Sequence, residues 1–360
     1  MSSPNSSTQA SPARKQNPWL AAWYGNAVWT YLLLPLSWIF IGLAGLRRYW
    51  ILRYTQKKLV TPVIVVGNIS VGGTGKTPLL ISLVKRLQQQ GFNPGVISRG
   101  YGGKASQYPY LLDASSTAAE AGDEPITIYQ QTGCAVCVGP DRIAVARALE
   151  DQNCDVLVSD DGLQHYRLAR DIEIAVVDGQ RGLGNGWRLP VGPLREPKSR
   201  LKTVDWVVVN SPSENFTLPG LADLFYVPMQ INADDLIHLQ SGEKKSVAEL
   251  AGSQTNCTRV HAVAGIGNPQ RFINTLNQLG VDAELHEFPD HHSYTESDFK
   301  FANDWSVVMT EKDAVKCRSF AQPNWFYLPI SASLPDSFWV ALQQKLERIC
   351  EQKRSIFKSK

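Results

Sequence analysis

Residues 63–77, Val-Ile-Val-Val-Gly-Asn-Ile-Ser-Val-Gly-Gly-Thr-Gly-Lys-Thr, decide how the rest of the chain is read. VIVVG (63–67) is a short β-branched run closed by glycine, the pattern of a buried strand. After the loop, Leu80, Leu83, Val84 and Leu87 recur at helical spacing, and Gly91 ends that helix as a C-terminal cap. A strand, a glycine-rich turn and a helix start aim backbone N–H groups at one point. That arrangement holds a polyphosphate against the positive end of the helix dipole. Ser70, Val71, Gly72, Gly73, Thr74 and Gly75 form the loop. Lys76 is expected to reach the β and γ phosphates of ATP, and the Thr77 hydroxyl to ligate Mg2+. The usual pattern has a glycine where Ser70 stands, but the three loop glycines still permit close approach to phosphate. A purely structural glycine turn is the alternative, and it leaves Lys76-Thr77 without a reason.

Outward from the loop the text alternates strand and helix. GVIS (95–98), CAVCV (134–138), DVLVS (155–159), IEIAVV (172–177) and WVVVN (206–210) read as strands. Several are apolar on both faces, as a parallel sheet covered by helices requires. Arg142–Glu150 is a short helix between two of them. Beyond about residue 225 the pattern restarts, with strands in VHAVAGIG (260–267), VDAELHEF (281–288), SVVMT (306–310) and WFYLPI (325–330). A helix over Pro269–Leu279 ends at Gly280, and a last one covers Ser337–Lys353. The expected class is α/β: a P-loop NTPase-like parallel-sheet domain (59–225), a smaller α/β domain closing over the site (226–330) and a C-terminal helix (331–360). A membrane-associated N-terminal segment (18–58) and a disordered tail (1–17) precede them.

The 36 basic and 33 acidic residues leave a net charge of +3, so no nucleic-acid partner is indicated. Six cysteines in 360 residues make no disulfide framework and fit a reducing compartment. Cys134 and Cys137 form a CxxC inside an apolar strand, where side chains three apart face opposite ways, so a structural reading is favoured over zinc or redox chemistry.

No charged side chain occurs from Gln16 to Leu46, and Ala27–Leu46 has about the length that crosses a hydrocarbon core. Aromatic residues scatter along it, and Arg47, Arg48, Arg53, Lys57 and Lys58 follow as a basic border for anionic head groups. A spanning helix would be broken or kinked at Pro35. A helix lying in the interface tolerates that proline. A buried core helix is the third reading.

A magnesium partner belongs at the end of a neighbouring strand, where DVLVSDDGLQHY places Asp160 and Asp161. Adjacent carboxylates there repel unless a cation offsets them. The loop alone does not select a reaction. A GTPase is disfavoured, because TEKD (310–313) has the guanine-binding residue types at the wrong spacing. A kinase must orient and deprotonate a hydroxyl. Asp123 and Glu124 of AGDEP, and Asp290, His291 and His292 of FPDHHSY, place carboxylates and histidines in two polar turns, one per domain.

GNISVGGTGKTP, SRGYGG (98–103), GDEP, VGPDR (138–142), DDGLQH (160–165), LPVGPLREP (189–197), AGIGNP (264–269), FPDHHSY and TEKDAVK (310–316) follow in this order. Together they resemble the tetraacyldisaccharide 4′-kinase family, the lipid A 4′-kinases of Gram-negative bacteria, over roughly residues 18–330. That family's loop also reads GNxSVGGxGKT. The resemblance implies transfer of the ATP γ-phosphate, with magnesium, to the 4′-hydroxyl of a lipid-linked disaccharide 1-phosphate. It also implies an N-terminal helix on the cytosolic face of the inner membrane and two lobes joined by a β-ribbon. By motif, Lys76 and Thr77 are the phosphate-loop residues, Asp123 the catalytic acid and His291 the histidine coupled to it. Asp160 and Asp161 are the metal-site acids, and Arg195 and Glu196 lie in PLREP near the active site. No obligate protein partner is evident. The glycines and Arg188 of GQRGLGNGWRLP suggest a mobile loop near substrate, and Lys312 is left between a phosphate and a carboxylate. Two other readings remain: a membrane-tethered P-loop ATPase that switches a partner protein, and a P-loop kinase of a soluble metabolite.

Overall fold

The computed structural model describes residues 18–25, 27–210, 224–246, 249, 258–302 and 305–358. The tail expected at 1–17 and Cys257 lie outside them.

Strands β1 (Val63–Gly67), β2 (Pro94–Ser98), β3 (Tyr110–Leu111), β4 (Ala135–Val138), β5 (Val156–Asp160), β6 (Ile172–Asp178), β7 (Trp206–Asn210) and β8 (Val227–Ala233) lie in one sheet. Its order is β15-β8-β7-β6-β1-β5-β2-β4-β3, where β15 is Ile330–Ser333. Pairing is parallel from β8 to β4 and antiparallel only at the two edges. The β-branched run Val63–Gly67 is buried at every residue because it sits mid-sheet. Ile64 and Val66 enter the core on one face, Val63 and Val65 the core on the other. Cys134 and Cys137 divide the same way, and both are free thiols.

The helices around this sheet follow from apolar spacing. They are α1 (Pro18–Tyr24), α2 (Leu34–Trp50), α3 (Lys76–Gln89), α4 (Ala118–Ala121), α5 (Asp123–Thr132) and α6 (Arg142–Glu150). In α3, Leu79, Leu80, Leu83, Val84 and Leu87 are buried against the sheet, and Gly91 beyond its end has φ +84°.

Strands β9 (Leu236–His238), β10 (Lys244–Lys245), β11 (Thr258–Ala264), β12 (Val281–Glu287), β13 (Ser306–Thr310) and β14 (Trp325–Leu328) build a second sheet, ordered β10-β9-β14-β13-β11-β12. Helix α7 (Pro269–Gln278) starts on a proline, whose missing N–H costs nothing in a first turn, and buries Phe272, Ile273 and Leu276. Helix α8 (Glu311–Cys317) follows β13 and packs on α5 of the first lobe.

The strand expected at 325–330 divides at Pro329. β14 stops at Leu328 in the second sheet, and Ile330 opens β15 in the first. Proline cannot donate to a ladder, so a change of sheet is easiest there. β15 runs antiparallel to β8, with Ile330 opposite Ala233 and Ser333 opposite Gln230. Chain thus leaves and re-enters the large lobe through one two-stranded ribbon. Helix α9 (Asp336–Lys358) then buries Phe338, Trp339, Leu342 and Leu346 in the first core.

At the N-terminus, residues Val28–Thr55 run helically with mean hydropathy 1.7 and only 11% burial over the most apolar window. They are long and apolar enough to cross a membrane. Pro35 causes no break, because it falls in the first turn of α2 after a 3₁₀ stretch over Val28–Leu33. Hydrogen bonds from this run and from α1 before it reach the large lobe. Trp23 Nε1 donates to the Pro190 carbonyl (2.9 Å), and Ser37 Oγ to that of Arg188 (3.1 Å).

Candidate functional site

The phosphate loop lies beyond the carboxyl end of β1, between β5 and β6, where an open parallel sheet offers its crevice. Gly75 caps α3 with φ +94°, and a Cβ there would lie 2.6 Å from Asn210 Nδ2. Asn210, at the end of β7, donates to the Thr74 carbonyl (3.2 Å) and fixes the loop from the side. From the other side, Val71 N donates to Pro193 O (2.9 Å) and Arg195 N to Ile69 O (2.7 Å). Val71, Gly72, Gly73, Thr74, Gly75, Lys76 and Thr77 all line one cleft of about 2600 Å³. Ser70 does not line it: its side chain is buried and its backbone forms a bridge to Leu194.

Asp160 ends β5 and Asp161 follows with φ +44°, a left-handed conformation unusual outside glycine. Asp161 lies 3.6 Å from Lys76 Nζ and accepts from Arg195 Nη1 at 3.1 Å. Burial works to raise its carboxyl, but Lys76 and Arg195 outweigh that and hold it below the usual range. Asp160 is the reverse. Burial, then the charges of Glu124 and Asp161, push it up to about 7. One oxygen of each (Oδ1) is buried without a hydrogen-bond donor. Asp160 Oδ1, without a donor, and Asp161 Oδ1, faced by Lys76 Nζ at 3.6 Å, lie beside the phosphate loop and fit a hard divalent cation, which takes oxygen ligands. Arg142 holds the strand ends in place, with Nη1 donating to Ile97 O (3.1 Å) and Asp160 O (3.0 Å).

Across the cleft, Asp123 opens α5. Gly122 before it has φ +90°, and a Cβ there would lie 2.5 Å from the Tyr101 carbonyl, so only glycine fits. Asp123 is buried, and its Oδ2 lies 3.1 Å from His291 Nδ1 and 3.3 Å from Lys316 Nζ. Burial again works upward, but the His291 hydrogen bond and the ammonium groups of Lys316 and Lys312 hold the carboxyl below the ordinary range. Lys312 Nζ lies 3.4 Å from His291 Nε2 and 3.0 Å from Asp290 Oδ1. An ammonium can only donate, so Nε2 accepts and the proton sits on Nδ1, directed at Asp123. His291 has φ +61°, a strained backbone of the kind concentrated at functional sites. It lines the cleft, and Asp123 lies behind it.

The model of a family described as tetraacyldisaccharide-1-P 4′-kinase matches residues 29–347. The chain belongs to this family. It is 48% identical to the tetraacyldisaccharide 4′-kinase of Methylobacillus flagellatus, covering 92% of this chain and 96% of that protein. It is 47% identical to that of Aeromonas hydrophila, over 90% and 94%. The crystal structure of LpxK from Aquifex aeolicus in complex with ATP superposes with a TM-score of 0.71 at 27% identity, covering 89% of this chain and 99% of that one.

Set on the family's motifs, the structure brings Lys76, Asp160, Asp161, Arg195 and His291 to one cleft, with Asp123 against His291. Lys312 lines the cleft and meets Asp290, Glu124 at 3.7 Å and His291. His292 bonds Asp298 and packs on Phe288 and Tyr294, a structural role. His165 lines the cleft, and burial pushes it down to about 4, so it is neutral. Ile266, Gly267 and Asn268 of AGIGNP form the second lobe's wall. Arg188 does reach the cleft, but its segment is tied down by the Trp23 and Ser37 hydrogen bonds. Sequence reasoning passed over Lys316, Arg142 and Asn210. Lys316 and Arg142 sit inside quoted motifs, TEKDAVK and VGPDR, while Asn210 carried no signal beyond ending a strand.

Proposed function

We propose that this protein transfers the γ-phosphate of ATP to the 4′-hydroxyl of a tetraacyldisaccharide 1-phosphate at the cytosolic face of the bacterial inner membrane. The carrying observation is the Asp123–His291 contact (3.1 Å), made between the two lobes across the cleft that holds the phosphate loop. Phosphoryl transfer is mostly positioning and charge neutralisation. The loop backbone, Lys76 and Arg195 would neutralise charge on the phosphoryl oxygens. Asp160, Asp161 and Thr77 would hold Mg2+, which would supply positive charge to neutralise the nucleotide phosphates. Asp123 and His291 act as one pair that takes the hydroxyl's proton: Asp123 stays ionised, fixes the imidazole tautomer and stabilises the ring once it is charged. Because the pair is split between lobes, it is complete only when they close, and closure excludes water as a competing acceptor.

Acyl chains leave a bilayer at about 0.8 kcal/mol per CH₂, so the enzyme must come to the lipid. The exposed apolar run Val28–Thr55 supplies the means, and its Phe40, Leu43 and Ala44 line the same cleft as the phosphate loop. A switching ATPase or a soluble-metabolite kinase leaves that continuity unexplained. Transfer of radiolabel from ATP to the disaccharide lipid in mixed micelles tests the reading. Wild type should yield labelled lipid, and Lys76→Ala and Asp123→Ala should lose it by at least about a hundredfold. ATP hydrolysis without lipid labelling would sink the proposal.

A further inference from the structure

The second lobe's sheet carries, on the face turned away from the cleft, a cluster of side chains that phosphoryl transfer does not use. β11 and β12 run in parallel register, with His261 opposite Glu284 and Val263 opposite His286. Side chains alternate along a strand, so β12 sends Leu285 and Glu287 to the cleft wall and Glu284 and His286 to the other face. There three side chains converge. His261 Nδ1 lies 2.9 Å from His286 Nε2, and that nitrogen lies 4.0 Å from Glu284 Oε1. One nitrogen or oxygen from each of the three falls within 4.8 Å of the others. Packing fixes both rings. His286 stacks on Phe301, with centroids 3.5 Å apart and planes 6° from parallel, and His261 is buried beside Phe301 and Trp305. The Arg259 guanidinium, over the Trp305 ring at 4.4 Å, meets the other Glu284 oxygen, Oε2, at 3.8 Å. The carboxylate is thus steered with Oε1 toward the imidazole pair.

We propose that His261, His286 and Glu284 form a structural site for a divalent transition-metal ion, with zinc the ion it fits best. Two imidazole nitrogens and one carboxylate suit a borderline ion of this kind, whereas the oxygen set at the phosphate loop suits a hard one. Zinc holds such ligands at about 2.0–2.2 Å in a tetrahedron, which sets neighbouring ligand atoms about 3.3 Å apart. The imidazoles need part only slightly, and Glu284, half exposed, completes the triangle by a rotation of its side chain. A water would take the fourth position. In the sheet order β12 comes last, beside β11, and His291 lies four residues beyond the end of β12 at Glu287. A bound ion therefore staples the edge strand that leads into the catalytic turn, and it takes no part in phosphoryl transfer. The site is independent of which hydroxyl accepts the phosphate. A proton shared between the two imidazoles is the alternative occupant, and the test separates the two.

Equilibrium dialysis of the full chain against buffered micromolar Zn2+, with excess Mg2+ and a non-thiol reductant, followed by metal counting, tests the site. Wild type is compared with His286→Gln and Glu284→Gln, and His291→Gln controls for zinc held in the cleft. Wild type should retain zinc. His286→Gln and Glu284→Gln should each bind it at least about tenfold more weakly, and His291→Gln should match wild type. Zinc should also raise the wild-type Tm, and do so less in either ligand variant. Co2+ in place of zinc gives an independent signature. Wild type should show the visible absorption of a four-coordinate ion, which His286→Gln should lose and Glu284→Gln should shift. A wild type that takes up neither ion holds only a proton between its imidazoles, and the proposal falls. It falls too if both ligand variants retain zinc as wild type does, or if His291→Gln alone loses it, which assigns the ion to the cleft. A loss confined to His286→Gln removes Glu284 from the ligand set and overturns the three-ligand site. Should His286→Gln fail to fold, judged by loss of the ATP-induced rise in Tm, Glu284→Gln decides, because Glu284 is half exposed.

Discussion

Asp160 and Asp161 are neighbours in sequence with opposite acidities. Burial and like charge drive Asp160 up to about 7, whereas Lys76 and Arg195 override burial and hold Asp161 down. Asp123 and His291 show the same economy, a buried carboxylate kept ionised by a ring and two ammonium groups. The loop is equally exacting at Gly75. Its φ of +94° excludes a side chain in comfort, and a methyl group would press on Asn210. Gly75→Ala is expected to cost about 1–3 kcal/mol of stability and to weaken ATP binding, both readable as a lower Tm and a smaller ATP-induced rise in it. An unchanged shift with ATP would mean the loop relaxes around the methyl.

Among the elements, α2 and the 3₁₀ stretch before it carry their apolar side chains outward. Leu32 and Leu36 are more than half exposed, on a segment that is charged only at its basic end. Replacing both by Glu should reduce co-sedimentation with lipid vesicles by tenfold or more while ATP binding persists. Loss of ATP binding would instead make this segment part of the core. Helices α5 and α8 meet between the lobes, where Gln131 Nε2 donates to both oxygens of Glu311 (2.7 and 2.6 Å). Burial pushes the Glu311 carboxyl up to about 7 from an ordinary 4.5. A raised folded-state pKa means its stabilising effect is full below pH 4.5 and lost as pH rises through 7. Glu311→Gln should therefore raise Tm relative to wild type at pH 8 and not at pH 4.5. A difference that does not change with pH would refute a titrating Glu311.

At the scale of the molecule, the ribbon of β8 and β15 makes the smaller lobe an insertion into the larger one, and α9 returns to seal the first core. Leu346 in that helix is fully buried. Leu346→Ala should cost about 2–5 kcal/mol and lower the Tm of the nucleotide-binding lobe, even though the residue is 270 positions from Lys76 in sequence. A Tm within a degree of wild type would show α9 to be dispensable. Only the ribbon joins the lobes in the chain, so the closure proposed above would break neither sheet.

The local code of this chain reads directly. Periodicity and β-branching mark the sheet strands, glycines and Lys76-Thr77 mark the phosphate loop, and ordered motifs mark the family. Each depends on contacts within a few residues, or on a fingerprint held in linear order. What sequence reasoning missed depends on distance along the chain. The division at Pro329 reflects which sheet has a free edge, and Pro35 is harmless only because a 3₁₀ turn delivers it to a helix start. Lys316 meets Asp123 across 193 positions, and Asn210 braces a loop 136 positions away. Acidity is the clearest case. The opposite shifts of Asp160 and Asp161 arise from burial and from partners the fold alone assembles, so no reading of adjacent aspartates can assign them.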